Sequence, residues 1–146
     1  MELNATYDIH APSQRVWDLL MDIDAIGRCL PGCKGLKPIG PDRYEVELGL
    51  TVAAVAGSFK GTVALEDKAP PTRYILKVEG SGRQGFINGT ARVTLEPGDD
   101  RTRIQIAATA EVGGMIARVG QRLLEGVAKT MMDRFYGCLA KQVEQG

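Results

Sequence analysis

The sequence predicts an α+β domain: a curved seven-stranded antiparallel sheet around a long C-terminal helix, with two short helices after the first strand. Three observations carry this. Residues 33–112 alternate apolar and polar side chains in run after run, the period of half-buried strands. The last thirty or so residues repeat apolar side chains every three to four positions, as a helix does. No stretch between them has the composition of a linker, so hairpins join the strands and residues 1–146 form one domain.

The elements follow in order. ELNATYDIH, residues 2–10, places Leu3, Ala5, Tyr7 and Ile9 on one face of a strand. A helix follows over 11–22, with Pro12 in its first turn and Val16, Trp17, Leu19 and Leu20 on its apolar face. A second short helix covers 22–30, capped by Asp22 or Asp24. Pro31-Gly32 then turns the chain, since Pro presets φ for the second turn residue and Gly accepts positive φ at the third. A strand starts near Cys33. Tyr44, Val46, Leu48 and Leu50 share a face in the next strand; Phe59, Val63 and Leu65 do so in the one after. Pro70-Pro71 breaks the chain before the strand of Tyr74, Leu76 and Val78. Ile87, Ala91, Val93 and Leu95 mark another strand, a Gly98-Asp99-Asp100 turn follows, and Ile104 to Val112 close the sheet. One long helix takes the rest. One of its apolar rows runs Val119, Leu123, Val127, Met131, Phe135, Leu139 and Val143, beside a second containing Leu124, Met132 and Tyr136.

Lys plus Arg and Asp plus Glu are 18 each, so the formal charge is zero. A nucleic-acid binder needs a basic excess to neutralise phosphates, and none is present. No basic start precedes an apolar block at the N-terminus, and the longest uncharged apolar stretch, residues 48–59, is shorter than the roughly 20 residues of a membrane-spanning helix. A cytoplasmic chain is the expectation. Cys29 and Cys33 flank the Pro-Gly turn, and Cys138 is distant in sequence. A zinc site needs about four ligands in paired spacings; His10 is the only histidine, and no such spacing exists. Three cysteines in a cytoplasmic chain read as small buried free thiols.

Gly80-Ser81-Gly82-Arg83-Gln84-Gly85 matches G-x-G-x-x-G, but a strand follows it rather than a helix, so it reads as a hairpin end and not a dinucleotide loop. Gly80 and Gly82 also remove volume from an inward face, as do Ala54, Ala56, Ala108 and Ala110. Gly120, Gly126 and Gly137 do the same on the helix. This is room for a ligand or close helix–sheet packing. His10, Asp22 and Asp24 have simpler roles than acid–base work, and no nucleophile elbow, zinc-protease motif or P-loop exists. Arg15, Arg28, Lys34, Lys37 and Arg118 read either as a solvated face or as the border of a cavity mouth near the short helices, where they would meet anionic headgroups or an acidic partner surface.

LPGCKGL at 30–36, GSFKGTVALEDKAPPTRYILKVEGSGRQGF at 57–86 and VGGMIARVGQRLLEGVAKTMMDRFY at 112–136 resemble the family of the carbon monoxide dehydrogenase G subunit, within the helix-grip superfamily of START domains and polyketide cyclases. The resemblance spans essentially the whole chain. It implies a hydrophobic cavity between sheet and helix and no conserved catalytic apparatus; from the residues themselves the expectation is no metal and no cofactor of the chain's own. It also implies a role beside a molybdenum hydroxylase of the carbon monoxide dehydrogenase type, in membrane recruitment or in binding a quinone or lipid. Under this reading Leu48, Phe59, Val63, Leu76, Phe86, Ala108, Val119, Leu123 and Val127 line the cavity, and Leu30, Pro31 and Gly32 form its entrance. Implied partners are the hydrophobic molecule, the hydroxylase complex, the inner membrane face and a second copy of the chain. Two alternatives stay open. One is a docking subunit with a solid interior. The other is a cyclase-like enzyme, which needs two titratable groups inside the cavity, where Tyr44 and Tyr74 are the ones that could project.

Overall fold

The chain begins with strand β1 (Glu2–Ile9) and two short helices, α1 (Ser13–Met21) and α2 (Ile23–Cys29). Six strands follow: β2 (Cys33–Gly40), β3 (Arg43–Val52), β4 (Val55–Ala69), β5 (Arg73–Gly82), β6 (Gly85–Gly98) and β7 (Arg101–Gly113). A 3-10 turn (Met115–Val119) leads into the last helix, α3 (Gln121–Gln145). The computed structural model describes residues 1–52 and 55–145, and Ala54 lies outside them. All neighbours in the sheet are antiparallel, in the order β1-β7-β6-β5-β4-β3-β2. The first strand therefore pairs with the last, with Ala5 opposite Ile106. α1 and α2 carry the chain from that edge of the sheet to β2 at the other.

Local chemistry explains these joints. Asp22 caps α2: its Oδ1 accepts from the N–H of Asp24 at 3.0 Å and of Ala25 at 3.4 Å. Gly32 has φ +75°, and its carbonyl accepts from the N–H of Gly49 at 2.8 Å. A side chain there would collide with the Gly49 carbonyl, so the turn after Pro31 demands glycine twice over. The edge strand β2 exposes Lys34, Lys37 and Pro38, which blunts its pairing potential. Thr102, fully buried, donates to the Ala11 carbonyl at 2.8 Å and ties β7 to the start of α1.

The C-terminal segment corrects the expected single helix. Gly120 at φ +95° separates the 3-10 turn from α3, a conformation that L side chains rarely adopt. The cysteines correct the expectation of free thiols. Cys29 at the end of α2 is bonded to Cys138 on α3, across a Cα–Cα distance of 5.4 Å, and Cys33 alone is free. Cys29 is the point where α2 is fastened to the long helix.

Two apolar clusters hold α3 to the sheet. One gathers Ile9, Val16, Trp17, Leu20, Ile104 and Leu139 around α1 and the C-terminal half of α3. The other gathers Val55, Phe59, Ile116, Leu124 and Val127 at the N-terminal half of α3.

Candidate functional site

Between these clusters the concave face of the sheet and α3 stand apart. They leave between them a partly open cavity of about 340 Å³. Small-molecule sites are usually roughly 300–1,000 Å³. Strand alternation supplies the floor: Tyr44, Val46 and Leu48 from β3, Val63 and Leu65 from β4, then Tyr74, Leu76 and Val78 from β5. Ala91, Val93, Ile106 and Ala108 complete it from β6 and β7. Ala91 lies opposite Ala108, so two methyls stand under the helix where longer chains would fill the gap. The helix contributes Met131, Met132, Phe135 and Tyr136 as the roof. Leu20 and Met21 close one end, and Ile23, Ile26, Leu30 and Leu36 form a wall at α2 and the start of β2.

The expected lining residues divide. Leu48, Val63, Leu76 and Ala108 face this cavity, and so does Leu30 from the expected entrance. Phe59 and Val127 pack into the cluster at the N-terminal half of α3, and Val119 packs against that cluster. Phe86 and Leu123 are exposed. Pro31 and Gly32 shape the turn beside Leu30 but do not line the cavity. The physical reason is the position of the void, which lies under residues 131–136 rather than 119–127 of the last segment. Neither Gly80 nor Gly82 lines the cavity, and the Phe59 ring occupies the space beside Gly82. Ala56 is exposed, and Gly126 and Gly137 have nothing packed where a side chain would start. Among the basic residues, Arg28 donates to Gln142 at 3.1 Å near the end of α3, whereas Arg118 lies beyond the other end, in the 3-10 turn. His10 is exposed at the end of β1.

Tyr136 and the α2 residues Ile23 and Ile26 join the lining without having been expected there. Their signals are present in the sequence: an i, i+3 apolar pair on α2, and a tyrosine in the second apolar row of α3.

The lining is almost wholly apolar. Among the described residues no charged side chain lines it, and the hydroxyls of Tyr44, Tyr74 and Tyr136 are its only side-chain oxygens. Tyr74 and Tyr136 are 6% and 7% exposed. The Tyr74 ring meets Trp17 edge-on at 5.6 Å, and the Tyr136 ring stacks on Tyr7 at 4.5 Å. Burial pushes both phenols above their ordinary pKa, and for Tyr136 the nearby Tyr74 and Tyr7 add to it. They therefore stay neutral donors at neutral pH and make poor general bases. On the outer side of Tyr136, Tyr7 donates to Asp133 at 2.7 Å, and Lys129 donates to the same oxygen at 2.6 Å. Those two donors, Lys129 first, hold the Asp133 carboxyl below the usual range. Among the described residues no group of three His, Cys, Asp or Glu side chains is placed to hold a metal ion.

A concave antiparallel sheet gripping a terminal helix around an apolar void narrows the family, and the sequence match decides it. Residues 6–144 match the G subunit of carbon monoxide dehydrogenase (CoxG). The chain belongs to the CoxG family. A conserved protein from Geobacillus kaustophilus shares 35% identity at a TM-score of 0.97, over 99% of this chain and 96% of that one. A START superfamily protein from Mycobacterium smegmatis is similar at TM-score 0.79 and 17% identity, over 99% and 97% of the two chains. The ZhuI aromatase/cyclase from Streptomyces sp. R1128 is similar at TM-score 0.71 and 15% identity, over 99% and 94%. The last two likenesses show the START-like fold this CoxG chain shares, and the fold does not choose between ligand binding and cyclase-like chemistry. No curated protein matches the sequence. Among the described residues no helix is long and apolar enough to cross a membrane.

Proposed function

We propose that this CoxG chain is a non-enzymatic carrier of a hydrophobic molecule, a quinone or a lipid. It assists a molybdenum hydroxylase of the carbon monoxide dehydrogenase type at the membrane periphery, in recruitment or in electron transfer. The observation that supports the reading is the cavity itself, about 340 Å³ and walled by aliphatic, methionine and aromatic side chains. A ligand that buries about 300 Å² of apolar surface there gains roughly 7 kcal/mol, from which association costs are subtracted. Methionines in the roof suit a flexible tail, because their side chains adapt to irregular shapes. The cyclase-like reading finds weaker support, since the only titratable groups lining the cavity among the described residues are tyrosines.

The test uses Trp17, the single tryptophan, which packs against the lining residue Tyr74. Titration with a short-chain quinone is expected to quench its emission saturably, and native mass spectrometry after gentle purification to show a bound apolar molecule. Absence of both sinks the carrier reading. One observation favours docking as a second role: Phe86, Met115 and Leu123, all exposed, lie in segments that meet at one end of the molecule. Met115→Lys with Leu123→Lys is expected to disrupt contact with the hydroxylase while leaving ligand uptake intact.

A further inference from the structure

We propose that Tyr74 and Tyr136 form a polar anchor inside the cavity, donating hydrogen bonds to an acceptor oxygen on an uncharged, otherwise apolar ligand. This inference rests on the carrier reading and narrows its ligand class. The two residues come from opposite walls, Tyr74 from β5 in the floor and Tyr136 from α3 in the roof. Among the described residues neither hydroxyl has a hydrogen-bond partner, although both residues are more than nine-tenths buried. The buried hydroxyl of Thr102, by contrast, is satisfied by Ala11. Among the described residues no side-chain oxygen is both sealed from open space and unpartnered, so the two phenols reach the space they line. Buried polar groups in proteins are almost always satisfied, and a pair left open toward one cavity points to what the cavity holds.

The rings are set in advance. Tyr74 is braced edge-on by Trp17, and Tyr136 is held between Tyr7, stacked at 4.5 Å, and Phe135, edge-on at 4.9 Å. Tyr7 is itself fixed by its bond to Asp133. A donor whose position is preset loses little freedom on binding, which is how orientation is encoded in an apolar site. Charge sets the other limit. With no lysine, arginine or histidine in the described lining, a carboxylate or phosphate group drawn in as far as the two phenols would lose its hydration and find no counter-ion. Burial also keeps the phenols protonated, so they offer hydrogens rather than negative oxygens. The chemistry that fits is a neutral carbonyl-bearing molecule with an apolar body: a ketone, a quinone or an ester, not a fatty-acid anion and not a plain hydrocarbon.

A matched ten-carbon series separates these: 2-decanone, decane and decanoate, each titrated into the full chain by calorimetry with Trp17 emission as a second readout. The ketone is expected to bind tightest and decanoate weakest. Tyr74→Phe and Tyr136→Phe, which keep both rings, are each expected to weaken the ketone about five- to tenfold and leave decane within about twofold. Circular dichroism and a melting curve establish that each variant is folded, and either variant alone suffices. Decanoate binding as tightly as the ketone, or ketone affinity unmoved in a folded variant, overturns the anchor while leaving the carrier standing. If none of the three probes binds the wild-type chain, the carrier reading itself falls.

Discussion

Removal of the Cys29–Cys138 bond tests the architecture around the cavity most directly. The bond closes a loop of 109 residues in sequence separation. For a loop that long the chain-entropy relation gives about 4.8 kcal/mol of stabilisation at 25 °C, an upper figure because unfolded chains retain some structure. A small domain has a total stability of roughly 5–15 kcal/mol, so this one covalent link decides much of it. The variant Cys29→Ala/Cys138→Ala keeps small apolar side chains at both positions. After equilibration with oxidised glutathione, urea unfolding of the wild type is expected at a clearly higher midpoint than that of the variant. Adding a dithiol reductant is expected to move the wild type down to the variant's midpoint and to leave the variant unmoved. Thiol titration in denaturant gives an independent count: one reactive thiol per chain, Cys33, before reduction and three after. Three thiols in the oxidised preparation, or midpoints that coincide, would refute the link and the bracing role assigned to it. The count also bears on where the chain works, since lasting disulfides are rare in a reducing cytosol.

Ala108→Trp puts an indole into the floor of the cavity and is expected to abolish calorimetric uptake of a short-chain quinone; Leu123→Trp, at an exposed position, is expected to bind normally. Thr102→Val keeps the shape of a fully buried residue but strands the Ala11 carbonyl, so chemical denaturation is expected to show a loss of about 1–3 kcal/mol. Asp133 and Asp8 have depressed pKa values, through Lys129 with Tyr7 and through Arg103 respectively. Their stabilisation is therefore fully present above the unfolded aspartate value of about 3.9 and fades as pH falls through the lower folded values. Melting temperature against pH between about 5 and 2 is expected to drop less steeply in Asp133→Asn than in the wild type; identical acid limbs would contradict the assignment.

The sheet is legible in the sequence because each strand keeps one face on the core, and alternation survives as Tyr44-Val46-Leu48 or Tyr74-Leu76-Val78. The short helices are legible from the Asp22 cap and the Pro31-Gly32 stop. The last segment reads as longer than the helix it forms. A 3-10 turn repeats about every three residues, close enough to a helix to continue the pattern, and only the backbone at Gly120 marks the break. The row Val119, Leu123, Val127, Met131, Phe135 also misleads through its spacing. Steps of four residues advance about 400° around a helix of 3.6 residues per turn, so such a row drifts by about 40° per step. Leu123 consequently faces solvent while Leu124 is buried. The disulfide is illegible for another reason: its partners meet only because α2 crosses from one sheet edge to the other and lands on α3, and nothing in their spacing encodes that crossing.

An apolar void between a sheet and a helix should close, because each wall gains dispersion contacts by approaching the other. Here α3 is fixed on either side of it. Toward its N-terminus Leu124 and Val127 seat on Val55 and Phe59; toward its C-terminus Leu139 is fully buried and Cys138 is bonded to α2. Residues 131–136 therefore span the gap as a beam spans two supports, and the short side chains Ala91 and Ala108 lie below that span. Lengthening those alanines or shortening the beam would stabilise the empty protein, and the sequence does neither. The forgone packing is localised under one stretch of helix, and on the carrier reading proposed above an apolar guest placed there would recover it as affinity.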